Sequence, residues 1–97
     1  MAKKSNSNLI ELMHGVSLLK NQEEALDFFT DLCTPAELKA MSDRWQVVPL
    51  IRLGIPYRTI HERTGVSVAT ITRVARCINL GEGGYTLIAD RMSSCKS

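Results

Sequence analysis

Four arginines and a set of hydroxyl side chains carry the chemistry this chain is equipped to do. Arg58, Arg63, Arg73 and Arg76, with Ser67, Thr70 and Thr72, fall within one stretch from Tyr57 to Asn79, YRTIHERTGVSVATITRVARCIN. Guanidinium groups grip phosphate in a bidentate fork, and hydroxyls bond to phosphate or to base edges. Charge concentrates in the same region. Residues 44–76 hold six arginines, Arg44 and Arg52 included, against Glu62 alone, a net +5. Residues 1–43 hold four lysines against seven carboxylates, a net −3, and the remainder is neutral. The overall charge of +2 hides this polarity. A polyanion is the partner such a distribution suits.

Other chemistries lack their residues. There is no Gly-rich phosphate loop, nucleophile–base pair or carboxylate constellation, so an enzyme is not expected. Cys33, Cys77 and Cys95 are an odd number without paired spacing, and His14 and His61 are isolated. They read as reduced thiols and solitary imidazoles, with no metal and no cofactor. No apolar run approaches the ~20 residues of a membrane helix, and no signal-peptide core opens the chain, so a cytoplasmic protein without a membrane partner is expected. An apolar content of 44% in 97 residues predicts one small folded domain rather than disorder.

The stretch that carries the arginines has the form of a helix-turn-helix over residues 57–79. Ile60 precedes a turn at Gly65, Val66 follows it, and Ile71 and Val74 share one face of the second helix. Gly65 supplies the positive φ that so tight a turn demands. Ser67 is placed to cap the second helix by accepting from a free N–H of its first turn.

Upstream, residues 1–7 (MAKKSNS) predict a polar arm. Leu9, Leu12, Met13, Val16 and Leu19 then repeat at helical spacing, interrupted by Gly15. Asn21 opens a second helix with Ala25, Phe28, Phe29 and Leu32 as its apolar face. Thr34-Pro35-Ala36-Glu37 combines a cap, a first-turn proline and a capping-box glutamate. The helix it starts carries Leu38, Met41, Trp45 and Val48 on one stripe and ends at Gly54. Pro49 inside it predicts a kink rather than a break. Tyr85, Leu87, Ile88 and Met92 suggest a last helix after a Gly-rich connection, with a tail over residues 93–97. No strand-like alternation is present. The expectation is an all-α fold of about six helices. The apolar faces of the first two and the last are too small to stand alone, so a second copy of the chain is expected to cover them.

The run from Thr34 to Asn79 resembles the tryptophan repressor superfamily. The resemblance rests on Thr34-Pro35 with Glu37, on Arg44, on Gly54 and Gly65, and on Val68-Ala69-Thr70-Ile71-Thr72-Arg73 just beyond the turn. Within it the chain looks most like the YerC/YecD branch. The resemblance implies an intertwined all-helical homodimer that binds a palindromic double-stranded DNA operator, a sequence-specific transcriptional regulator and most simply a repressor. It places DNA-facing residues at Arg58, His61, Val68, Ala69 and Thr72. Physical reading adds Ser67 and Thr70 as phosphate partners at the helix start, and Arg58, Arg63 and Arg76 as anchors on the flanking backbone, with Arg73 also counted among the DNA-binding residues. His61 stands where the family has a lysine. Neutral imidazole gives up one phosphate charge, and a titrating one makes binding pH-dependent.

The family's effector pocket maps onto Thr34, Arg44, Arg73, Val74 and Cys77. Both arginines are kept, but Val74 replaces a glycine that makes room for the ligand, and Cys77 replaces a serine that holds its amino group. Free tryptophan is therefore not expected to bind, with Trp45 or Val74 filling the space. The competing reading, from a different class, is a protein-interaction module that keeps the helix-turn-helix as scaffold.

Overall fold

The computed structural model describes residues 3–95. Within them the chain forms six helices: α1 (Lys3–Ser17), α2 (Gln22–Leu32), α3 (Pro35–Arg52), α4 (Tyr57–Thr64), α5 (Val68–Leu80) and α6 (Gly84–Cys95). No strand occurs among the described residues, so the all-α expectation holds. The chain divides into two compact units, Met1–Leu38 and Lys39–Ser97.

In the first unit, α2 starts as its sequence dictates. The Asn21 side chain accepts from the Glu24 N–H at 2.9 Å, and the Glu24 carboxylate accepts from the Lys20 N–H at 3.0 Å. These two bonds satisfy one free donor of the first turn and one just ahead of it. Phe28 and Phe29 meet edge to face at 5.5 Å. None of the α2 residues is fully buried, and Leu9, Ile10, Met13, Leu18, Leu26 and Leu32 are exposed.

Two expectations at the ends are corrected. Lys3 to Ser7 are helical rather than an arm, and Ser93 to Cys95 belong to α6 rather than to a tail. Helix propagates past the last apolar residue once nucleated, because each added residue gains a hydrogen bond and polar side chains need no partner surface. The rest of the expected arm and tail (Met1, Ala2, Lys96 and Ser97) lies outside the described residues.

The predicted capping box opens α3. The Glu37 N–H donates to Thr34 Oγ1 at 3.1 Å, and the Thr34 N–H donates to the Glu37 carboxylate at 2.7 Å. The helix then passes through Pro49 without a break. Its end is a Schellman turn in which Ile55 N–H reaches the Leu50 carbonyl at 3.2 Å and Gly54 N–H the Ile51 carbonyl at 2.9 Å.

The second unit holds the core. Val47 and Val48 of α3, Ile60 of α4, Val66 of the turn, and Ile71 and Val74 of α5 form one buried cluster. Trp45, Ile51, Ile78 and Tyr85 pack around it. Trp45 and Tyr85 stack at 6.1 Å with their planes 21° apart, which fastens α6 to α3. The core thus joins both helices of the motif to α3.

Candidate nucleic-acid interface

α4 and α5 meet through a three-residue turn that side chains hold from both sides. Gly65 takes φ 77°, and its N–H caps α4 on the His61 carbonyl at 2.8 Å. Thr64 Oγ1 donates to the Ile60 carbonyl at 2.8 Å and accepts from the Val66 N–H at 3.1 Å. The Val66 carbonyl meets His61 Nδ1 at 2.8 Å. Both polar groups of the Val66 peptide are therefore satisfied by α4 side chains. The Val66 side chain itself is buried in the core. The angle at which α5 leaves the turn is set by these contacts and by the burial of its inner face.

α5 begins at the predicted cap. Ser67 Oγ accepts from the Thr70 N–H at 3.1 Å and donates to Thr70 Oγ1 at 3.0 Å. One hydrogen lies between the two hydroxyls, so one hydroxyl of the pair keeps a free donor at the helix start. The first intrahelical bond is Ile71 N–H to the Ser67 carbonyl at 3.0 Å, so the N–H groups of Val68 and Ala69 precede it and point out of the helix start.

The two faces of α5 differ sharply. Ile71 and Val74 are fully buried, and Ala75 nearly so. Val68, Ala69, Thr72, Arg73, Arg76 and Cys77 are exposed, with Thr70 half-buried. An open groove along this outer face is lined by Ala69, Thr70, Thr72, Arg73, Arg76 and Cys77, and it extends to Leu80 and Gly81. The structure thus gathers five of the ten residues predicted to meet DNA in one groove. Leu80, 76% exposed, joins them without any signal in the sequence beyond its place at the helix end.

On α4, Arg58 and His61 lie three residues apart and are both exposed, on one face. Arg63 is also exposed, but five residues from Arg58, about 140° round the helix, so it lies on another side. Among the described residues the ion pairs are Lys39–Asp43 at 2.9 Å and Arg52–Asp90 at 2.6 Å. Arg58, Arg63, Arg73 and Arg76 enter neither. Arg52, counted in the sequence as part of the cationic region, is committed to Asp90 of α6.

Within the second unit, the residues mapped onto an effector pocket divide between core and surface. Val74 is 0% exposed, packed with Val47, Val48, Ile60, Val66 and Ile71. Arg73 and Cys77 are exposed and line the open groove. Arg44 is half-buried on α3, and Asp43 beside it pairs with Lys39. Thr34 belongs to the first unit, where its hydroxyl caps α3. Of the two side chains expected to fill the space, Val74 is in the core, whereas Trp45 stacks on Tyr85.

Comparison with known proteins agrees with this architecture. A family model described as Trp repressor protein matches residues 7–93, which spans both units. The uncharacterized protein YerC of Bacillus subtilis (strain 168) is 38% identical over 89 residues, covering 92% of this chain and 86% of that protein. A crystal structure from Staphylococcus aureus, provisionally assigned as a Trp repressor, superposes with a TM-score of 0.84 at 44% identity, covering 90% of this chain and 87% of the other. A TrpR like protein from Eubacterium eligens ATCC 27750 gives the same TM-score at 38% identity, covering 90% of each chain. The chain belongs to the Trp repressor family and resembles its YerC members.

Proposed function

We propose that the protein is a sequence-specific double-stranded-DNA-binding transcriptional regulator, acting in the cytoplasm as a repressor that occupies a palindromic operator as a homodimer. The observation that carries this reading is the two-sided character of α5. Its inner face is fixed in the core, and its outer face offers Val68, Ala69, Thr72, Arg73 and Arg76 together. In the major groove, Val68 and Ala69 meet thymine methyls and Thr72 bonds a base edge. The Val68 and Ala69 N–H groups and the Thr70 hydroxyl hold a phosphate at the helix start, with Ser67 as the cap that orients Thr70. Arg58, Arg63 and Arg76 anchor the flanking backbone.

The second copy follows from the first unit, whose exposed Leu9, Ile10, Met13, Leu18 and Leu26 supply a face for a partner chain. Two motifs related by a two-fold axis then read half-sites about one helical turn apart. Selection of bound duplexes from random DNA is expected to return a two-fold symmetric consensus. Thr72→Ala is expected to relax base preference at one position of each half-site, whereas Arg58→Ala weakens all sequences roughly alike. A consensus without symmetry, or the reverse pattern in these variants, counts against the reading.

No tryptophan is needed in this mechanism. The Val74 side chain packs with Val47 and Val48 of α3 and Ile60 of α4, in the position where the family leaves room with a glycine. Adding free tryptophan is expected to leave both the melting temperature and duplex affinity unchanged. A rise in either that saturates with tryptophan contradicts it.

A further inference from the structure

We propose that His61 is a positioning residue that holds the turn of the helix-turn-helix through Nδ1 and takes up a proton at Nε2 when the protein engages duplex DNA. The inference rests on the DNA-binding reading above and adds the regulation of that site by pH. The Val66 carbonyl, 2.8 Å from Nδ1, can only accept, so Nδ1 carries the hydrogen. The tautomer is thereby set, and Nε2 is left with its lone pair. The residue is exposed and stands one turn beyond Arg58 on the same face of α4.

A neutral Nε2 presents electron density to a phosphate oxygen, which is an unfavourable contact. Protonated, it donates a charge-assisted hydrogen bond without giving up the turn, because Nδ1–H stays on Val66. The remaining ionisable groups of α4 are Tyr57, Arg58, Glu62 and Arg63, and those of α5 are Arg73, Arg76 and Cys77. In the second unit, α3 adds Lys39 paired with Asp43, Arg44, and Arg52 paired with Asp90. Phosphate is the anion that this arginine-rich surround is built to meet. The DNA-bound state then holds more protons than the free one, so affinity rises as pH falls, by at most one proton per protomer.

The test uses the full chain and a fluorescent mixed-sequence duplex of about 30 base pairs, titrated at fixed ionic strength between about pH 5.5 and 8.5, the range in which imidazole changes charge. Wild-type affinity is expected to fall by about three- to tenfold per protomer bound as pH rises, the size of one solvent-accessible charged contact. His61→Gln keeps a donor for the Val66 carbonyl and removes the titration, so its profile is expected to be flat at the wild-type high-pH level. His14→Gln is expected to keep the wild-type slope. A flat wild-type profile, or an undiminished slope in His61→Gln, overturns the proposal while leaving DNA binding intact. Failure to retain duplex at any pH overturns both readings. Long-range 1H–15N NMR of the wild-type protein provides a check that needs no variant: the Nδ1–H tautomer supports the proposal, and a predominant Nε2–H tautomer sinks it.

Discussion

Ile71→Ala is expected to destabilise the second unit by about 2–5 kcal/mol, the range for truncating a large aliphatic side chain in a packed core. Ile71 is fully buried and lies where α3, α4 and the turn converge on α5. Removing three of its carbons leaves a cavity that Val47, Val48, Ile60 and Val74 cannot all move to fill, since each is itself 0% exposed and held on a helix. A domain of this size has roughly 5–15 kcal/mol of total stability, so the loss is a large fraction of it. The urea midpoint, measured at one fixed protein concentration because a dimer's stability depends on concentration, reads the effect. Thr72→Ala, one residue along but on the exposed face, is expected to stay within about 0.5 kcal/mol of wild type. Equal midpoints for the two variants cannot be reconciled with a buried inner face of α5. Duplex affinity of Ile71→Ala is expected to fall along with the folded fraction, because the outer face is presented only while the inner face is packed.

Replacing Arg58, Arg63, Arg73 and Arg76 together by Ala is expected to flatten the salt dependence of DNA binding by about 3 to 4 units of slope per protomer. Each phosphate contact releases condensed counterions and contributes about 0.9 to the slope of log K against log salt. All four residues are exposed and outside the ion pairs found among the described residues, so their charge is available to a polyanion. Arg52 is the internal control. Its guanidinium is held by Asp90, and Arg52→Ala is expected to leave the slope unchanged while loosening α6. Binding titrations across a salt series settle the matter. An unchanged slope in the fourfold variant removes the phosphate contacts and favours the interaction-module reading instead.

Much of the helical framework was legible because its determinants are local. Asn21, Thr34 with Glu37, and Ser67 each bond to a backbone group three residues away, a distance that helix geometry alone dictates. Gly65 and the spacing of Ile60, Val66, Ile71 and Val74 gave the turn and its core for the same reason. The extent of α1 and α6 was misjudged because apolar periodicity marks where a helix must bury a face. It does not mark where backbone hydrogen bonding stops.

The sites show the same division. The resemblance implied that Ala69 and Thr72 face DNA, and helical periodicity agrees: with Arg73 and Arg76 they lie on the face of α5 that Ile71 and Val74 leave free, since side-chain direction repeats every 3.6 residues. Tertiary structure decided the rest. It withdrew Arg52 from the cationic surface by pairing it with a carboxylate 38 residues away. It stacked Trp45 on Tyr85. It turned His61 back onto the carbonyl of Val66. Each of these depends on how helices cross and where a turn brings the chain back. Such contacts arise from packing between segments, which no spacing along a single helix encodes.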